Sequence, residues 1–399
     1  MSQNTHWLLP EGIEEMPPAQ AARLERMRRR LLDQFHGWGY QLVLTPFIEY
    51  VESLLVGTGN ETDLQTFKIV DQSNGRMLGI RADMTPQVAR IDACRLKQDV
   101  PTRLCYMGTV LHTRAQNFGA SRSPLQMGAE LYGHAGAESD VEILSLTVAT
   151  LECAGINDIH IDLGHVGIYR TLMRELGFSQ EQEMALFDAL QRKDISGIDT
   201  FLQQHKITGT QHDMLVALPQ LNGDRNVLAR ARKVLAAAGA EVSKAIDNLE
   251  RIADLAEKRI PDIPLNFDIA ELRGYQYQTG VVFAAYVPGY GQEVARGGRY
   301  DEIGAAFGRA RPATGFSTDL KTLLQLGSQS DGQSDAGALG ILVPFVSDDS
   351  VLLSEITELR SAGERVVELL PNQVSDPIAQ ACDRQLIKQG NDWSLVKIS

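Results

Sequence analysis

The chain has 399 residues, of which 43% are hydrophobic and 22% charged, the ordinary composition of a globular protein. Its formal charge of −13 weighs against a nucleic-acid partner, because proteins that bind tRNA neutralise phosphates with lysine and arginine. The apolar stretch at residues 339–346 is too short to cross a bilayer, and the N-terminus has neither a basic leader nor an apolar run. We therefore expect a cytoplasmic protein without a membrane partner.

The first predicted element is a helix that begins at Pro17 and Pro18. The arginine run at residues 28–30 lies largely off its apolar stripe and is interpreted as a solvated face rather than a nucleic-acid contact. Gly37 and Gly39 end the helix. The stripe itself recurs at three- and four-residue spacing and consists of Leu24, Met27, Leu31 and Phe35.

Close-set strands are predicted after this helix. Residues 41–45 form the first, and residues 67–71 and 76–81 flank a turn in which Asn-Gly supplies the positive φ angles of a tight hairpin. Strands without regular intervening helices predict an α+β fold built on an antiparallel sheet rather than a doubly wound parallel one. The remaining predicted strands lie at residues 104–111, 125–132, 160–163, 279–286 and 293–295.

A helical pattern replaces the strands between residues 169 and 260. Ser179 followed by Gln182 resembles a capping box ahead of apolar residues at helical spacing. Because strands are predicted on both sides of this stretch, we interpret it as a helical insertion. The large domain that it interrupts is expected to span residues 1–326.

The end of the chain has the pattern of a second, smaller domain. Residues 327–338 are rich in Gly, Ser, Asp and Gln and are predicted to form a flexible linker. Apolar stretches then alternate with helical patterns at residues 350–362 and 376–389. This alternation predicts a small α/β domain over residues 339–399.

The sequence lacks the common catalytic motifs. The phosphate loop Gly-x-x-x-x-Gly-Lys, the zinc motif His-Glu-x-x-His and the nucleophile motif Gly-x-Ser-x-Gly are all absent. Cys94, Cys105, Cys153 and Cys382 lack the paired spacing of a metal site or a disulfide framework, and the eight histidines are dispersed. We therefore predict neither a metal nor a cofactor.

Six local sequences match class II histidyl-tRNA synthetases in order and spacing across most of the first 325 residues. Any one of them is weak, but six in the correct order make the resemblance specific. It implies a class II aminoacyl-tRNA synthetase-like antiparallel core, which is usually dimeric. The six are residues 9–12, the pair 45–46 with Glu49, and residues 119–133, 272–280, 297–301 and 315–316.

The resemblance implies a pocket for free histidine. Asp83 and Thr85 match the loop that meets the ligand ammonium, with Asp where the synthetases carry Glu. Gln126 and Glu130 lie four apart on a predicted strand, so their side chains share one face, and Glu130 would meet the imidazole. An arginine near the ligand carboxylate and a tyrosine complete the implied histidine-binding set, which is Asp83, Thr85, Gln126, Glu130, Arg273 and Tyr277.

The nucleotide-binding residues of the synthetases are not matched. Counting back from Gln126, the motif 2 arginine falls on His112, and a slip of one or two residues would place Arg114 there instead. In motif 3, the glycine falls on Asp319 and the arginine on Thr322. Each lost charge contact costs on the order of hundreds-fold in rate, so we predict that the chain does not adenylate histidine.

A synthetase-like chain that keeps amino-acid recognition but lacks ATP chemistry resembles the regulatory subunits of ATP phosphoribosyltransferase, the first enzyme of histidine biosynthesis. This resemblance implies a hetero-oligomer in which the chain activates a short-form catalytic subunit and relays feedback inhibition by histidine. It also implies a class II-type dimer of the chain with itself and no tRNA partner. Two alternatives remain open, an active histidyl-tRNA synthetase and a stand-alone amino-acid sensor.

Overall fold

The computed structural model divides the chain into two compact units, Met1–Gly327 and Ser328–Ser399. The expected linker falls largely outside the residues that the structure describes. Within the described residues, no helix is both long and apolar enough to span a membrane. The described residues are 8–57, 60–115, 120–272, 274–275, 277–327, 339–347, 349–377, 380–390 and 392–398.

The first unit opens with the predicted amphipathic helix, α1, which begins at Pro18 and buries Met27, Leu31 and Phe35. Phe35 packs edge-on against Phe316, with ring centroids 6.1 Å apart. The helices of this unit are α1 (Pro18–Gly37), α2 (Val51–Leu54), α3 (Asn60–Gln65), α4 (Thr85–Arg90), α5 (Ala137–Cys153), α6 (Val166–Leu176), α7 (Gln180–Gln191), α8 (Ile195–Gln204), α9 (Thr210–Ala217), α10 (Asn226–Val234), α11 (Gly239–Arg259) and α12 (Leu320–Leu326).

Two sheets accompany these helices. Their strands are β1 (Gln41–Leu42), β2 (Ile48–Tyr50), β3 (Phe67–Val70), β4 (Met77–Ile80), β5 (Thr102–Thr109), β6 (Leu125–Tyr132), β7 (His160–His165), β8 (Asn222–Gly223), β9 (Leu265–Asp268), β10 (Val281–Tyr286), β11 (Ala295–Arg299) and β12 (Ala313–Asp319). In the described part of the chain, nine of them form one sheet in the order β1-β5-β6-β12-β11-β10-β7-β9-β8. Every pairing from β5 through to β7 is antiparallel, which confirms the predicted sheet type.

Local sequence signals are confirmed at two places in this unit. The hairpin of β3 and β4 turns at Gly75, whose φ is +74°. The capping box of α7 is present, because Ser179 Oγ accepts from Gln182 N at 3.3 Å and Gln182 Oε1 accepts from Ser179 N at 2.8 Å. The predicted strand at residues 293–295 is wrong in its bounds, since β11 runs later, where its glycines fit between β10 and β12.

The second unit is a four-stranded sheet with one described helix, and its strands lie in the order β14 (Val366–Glu368), β13 (Gly340–Val343), β15 (Cys382–Gln389) and β16 (Asp392–Lys397). The helix predicted at residues 376–389 is wrong, because Cys382 to Gln389 form a strand between β13 and β16. Buried Cys382 and Leu386 lie four residues apart, a spacing that shares one face in a helix and in a strand alike. The helix is α13 (Ser350–Ser361).

Candidate functional site

The candidate pocket lies on one face of the large sheet. Glu130 on β6 pairs with Gly315 on β12, which in turn pairs with Gly298 on β11. Directly paired residues of antiparallel strands project from the same face, so this face carries one carboxylate beside two positions without side chains. A Cβ at Gly315 would overlap Glu130 Oε2, so the glycine provides the space that the carboxylate occupies.

A hydrogen-bonded group joins β6 to the start of α4. Gln126 Nε2 donates to Asp83 Oδ1 at 2.7 Å, and Gln126 Oε1 accepts from Met84 N at 2.9 Å. Asp83 Oδ1 also accepts from Thr85 N at 3.1 Å. Thr85 Oγ1 lies 3.1 Å from Tyr106 OH, and Tyr106 OH in turn bonds the buried Glu130 carboxyl group. The structure therefore brings Asp83, Thr85 and Gln126 together.

Glu130 is buried at the inner end of this group, with 1% of its surface exposed. Tyr106 OH donates to Glu130 Oε1 at 3.0 Å, and Tyr300 OH donates to Glu130 Oε2. Burial raises the pKa of Glu130 to about 8, although both hydroxyl hydrogen bonds act in the opposite direction. The carboxyl group is therefore largely protonated at neutral pH and can donate a hydrogen bond to a bound base.

Both tyrosines were missed from the sequence. Tyr300 stands inside the motif at residues 297–301, so the resemblance held a signal for it. Tyr106 lies in a strand with buried neighbours, where a tyrosine is an ordinary core residue and gives no separate signal.

Of the two remaining predicted residues, Tyr277 is the one that the structure describes. Tyr277 is 40% exposed, and its ring centroid lies 6.4 Å from that of Tyr300, the tyrosine that bonds Glu130. Arg273 lies outside the described residues. Gln278, which replaces the second tyrosine of the synthetase pair, is buried, and its Oε1 has no hydrogen-bond partner in the described chain.

His112, on which the motif 2 arginine is expected to fall, is a buried neutral group. Its Nε2 atom lies 2.9 Å from the carbonyl oxygen of Ala82. Burial lowers the pKa of His112, so the imidazole is uncharged at neutral pH. It therefore does not supply the positive charge that an arginine gives to a phosphate. Arg114 is exposed.

Asp319, at the position of the motif 3 glycine, caps α12. Its Oδ1 atom accepts from Lys321 N at 3.1 Å and from Leu125 N at 2.9 Å. Thr322 Oγ1 donates to Asp319 Oδ2 at 3.2 Å. Both of its oxygens are thus engaged in bonds that tie α12 to the start of β6. A carboxylate fixed here repels a nucleotide phosphate, while Thr322 has no charge to attract one.

The described residues contain no cluster of side chains that could bind a metal ion. Across those residues, no three His, Cys, Asp or Glu side chains gather in the way that a metal ion requires. The four cysteines are free thiols, of which Cys105 and Cys382 are buried.

Comparison with known proteins assigns the family. Residues 12–323 match the histidyl-tRNA synthetase family, and residues 338–396 match the C-terminal domain of ATP phosphoribosyltransferase subunit HisZ. An ATP phosphoribosyltransferase regulatory subunit from Thioalkalivibrio sulfidiphilus is 54% identical over 399 residues, which cover 100% of both chains. Another from Alkalilimnicola ehrlichii is 55% identical over 394 residues, covering 98% of this chain and 97% of that one.

Solved structures share the fold. One described as an ATP phosphoribosyltransferase regulatory subunit/histidyl-tRNA synthetase from Bacillus halodurans has a TM-score of 0.81 at 28% identity, covering 94% of this chain and 95% of that one. Histidyl-tRNA synthetase from Nostoc sp. PCC 7120 has a TM-score of 0.75 at 17% identity, covering 98% and 97%, and shows the common fold alone. Because relatives that it matches over nearly their full length share more than half of their residues with it, this chain belongs to the family of ATP phosphoribosyltransferase regulatory subunits.

Proposed function

We propose that this chain is the non-catalytic regulatory subunit of a cytoplasmic ATP phosphoribosyltransferase complex. It activates a short-form catalytic subunit and conveys feedback inhibition by histidine. The observation that carries the histidine part is the buried Glu130 carboxyl, held by two tyrosine hydroxyls beside the Asp83–Gln126 group. The full-length similarity to proteins named as regulatory subunits supports the choice of catalytic partner.

Each end of a histidine molecule finds a chemical counterpart in the proposed pocket. The ammonium needs oxygen acceptors, which Asp83 and Thr85 present at the start of α4. The imidazole needs an anionic or polar partner, and it can share the one proton of the Glu130 carboxyl in a hydrogen-bonded pair. Such a buried pair is favourable only when hydrogen bonds also satisfy the carboxylate, as Tyr106 and Tyr300 do here.

We further propose that the chain forms a class II-type dimer through its small sheet. Ile69, Val70 and Met77 on β3 and β4 are exposed apolar side chains of that sheet, and β2 completes it. On β2, Glu49 Oε1 accepts from Gln87 Nε2 at 2.6 Å.

Hydrogen bonds of Glu49 connect the exposed small sheet to the helix that borders the proposed pocket. Gln87 and Arg90, which both bond Glu49, lie on α4, and α4 begins at Thr85 beside the proposed ammonium site. Feedback requires histidine to bind two states of the complex with different affinities. A shift of α4 between those states would alter the pocket and the small sheet together.

The test is a phosphoribosyltransferase assay of a short catalytic subunit with and without this chain, titrated with histidine. We expect the chain to stimulate the catalytic subunit and histidine to inhibit the complex. Histidine-dependent ATP–pyrophosphate exchange by the purified chain would favour the synthetase alternative instead. Failure to bind or stimulate the catalytic subunit, with histidine binding intact, would favour a stand-alone sensor.

A further inference from the structure

Arg296 on β11 projects from the same sheet face as the proposed pocket. It pairs with Ser317 on β12, and Ser317 pairs with Gly128 on β6. Glu130 lies two residues beyond Gly128 and shares its face. Arg296 and Glu130 are separated by two strand spacings across the sheet and by two residues along it. This separation places their Cα atoms roughly 12 Å apart. A glutamate, one free histidine and an extended arginine can together bridge that distance.

The neighbours of Arg296 leave room for its side chain. The residues paired with it on either side are Ser317 and Ala284, both small. Burial is the main cause of the lowered pKa of His112, and the positive charge of Arg296 adds to it. The guanidinium therefore lies within electrostatic reach of His112, on which the motif 2 arginine is expected to fall.

Arg296 has no strong partner in the described part of the chain. Its one ion pair there is with Glu293, at 3.7 Å, its side chain is 51% exposed, and it donates no hydrogen bond. The neighbouring Arg299, by contrast, is bonded to Asp140 and Asp301. Asp319 lies diagonally across from Arg296, but both of its oxygens are engaged in capping α12.

We propose that Arg296 binds the carboxylate of the bound amino acid and so sets the preference for histidine over analogues without a carboxylate. The inference rests on the proposed histidine pocket and adds a specificity-determining residue to it. A guanidinium can donate two parallel N–H bonds to a carboxylate, an arrangement that is stronger than bonds between neutral groups. Such a contact would add a second guanidinium to that of Arg273, which the resemblance places near the ligand carboxylate.

Calorimetry with the full-length chain tests the assignment, using histidine, histidinol and inorganic phosphate as ligands. Histidinol carries a hydroxymethyl group in place of the carboxylate. We expect Arg296→Gln to weaken histidine binding by about 10- to 100-fold, because a hydrogen bond to a charged group is lost. Histidinol binding should change less than about threefold, because the lost bond is specific to the carboxylate. Arg296→Lys should retain part of the histidine affinity, since lysine keeps the positive charge but cannot donate two parallel N–H bonds to the carboxylate.

Arg29→Gln is the matched control, because Arg29 is an exposed arginine of α1 paired with Glu25. It should leave both affinities unchanged, and unfolding curves of all variants should coincide within a few degrees. If wild type binds histidine but Arg296→Gln keeps the same histidine-to-histidinol ratio, the assignment is overturned and the proposed function stands. If Arg296→Gln weakens only phosphate binding, the assignment is also overturned. No histidine binding by wild type overturns the proposed function itself.

Discussion

Glu130 and Asp319 are two carboxyl groups on neighbouring strands of one sheet face, yet their hydrogen bonds differ in kind. Burial raises the pKa of both groups. Glu130 is bonded by two tyrosine hydroxyls, whereas Asp319 is bonded by two backbone N–H groups and Thr322. Hydroxyl groups can turn to accept as well as donate, but backbone N–H groups only donate and stay fixed.

On our proposal, the amino-acid site of the scaffold is kept while the position of the synthetases' nucleotide site takes a structural role. On the Glu130 side, the polar groups can exchange protons and partners with a ligand. On the Asp319 side, the carboxyl oxygens accept hydrogen bonds that hold α12 against β6. The first side is expected to determine histidine affinity, and the second to determine stability.

The largest expected effect is that of Glu130→Ala on histidine binding. Loss of the imidazole partner from a buried site should weaken binding by about 100-fold or more. Calorimetry on the free chain measures it, with Glu142→Ala as the control, because Glu142 bonds Tyr40 and Arg103 away from the pocket. An affinity within about threefold of wild type would place the ligand elsewhere.

Asp319→Ala should instead lower stability and spare histidine affinity. It removes a helix cap and a link to Leu125 N, which together contribute about 1–3 kcal/mol to the free energy of unfolding. Urea denaturation measures the change, and Asp319→Asn, which keeps an acceptor oxygen, should recover part of it. Loss of histidine binding with stability unchanged would reverse the roles assigned to the two carboxyl groups.

A smaller effect is the pH dependence of histidine affinity, because the bound pair shares one proton. A free imidazole has a pKa of about 6.5, and that of Glu130 is raised to about 8. Below the lower value binding must release a proton, and above the upper value it must take one up. Affinity should therefore be highest between about pH 6.5 and about pH 8, falling up to about tenfold per unit outside that range.

Glu130→Gln removes one of these two titrating groups. Its weaker residual affinity should fall below about pH 6.5 but stay level on the alkaline side, where only the neutral imidazole binds. Calorimetry in buffers of different ionisation enthalpy measures the protons exchanged. A decline at alkaline pH that persists in Glu130→Gln would show that Glu130 is not the titrating partner.

The sequence predicted those features of fold and site that local patterns determine. The stripe of α1, the β3–β4 turn and the Ser179 capping box all follow from spacing within a few residues. The strand β15 was misread, since spacing cannot distinguish a strand from a helix when the buried residues lie four apart.

The roles of Tyr106 and Asp319 depended on partners distant in the chain. Tyr106 meets Glu130 across a β-ladder, and nothing local in the sequence announces that bond. The sequence comparison matched Asp319 only to the motif 3 glycine, and the structure shows that it caps α12, a role that an aspartate directly before an apolar helical run could have signalled. Side-chain bonds across strands require the register, which sequence patterning alone leaves open.

The most direct test compares histidine inhibition of the complex assembled with wild type and with Glu130→Ala. The measurement is the phosphoribosyltransferase rate of the short catalytic subunit at rising histidine concentrations. Our account predicts that the variant still stimulates the catalytic subunit but that inhibition requires about 100-fold more histidine or is lost. Inhibition of the variant complex at the wild-type histidine concentration would contradict the claim that this pocket senses histidine.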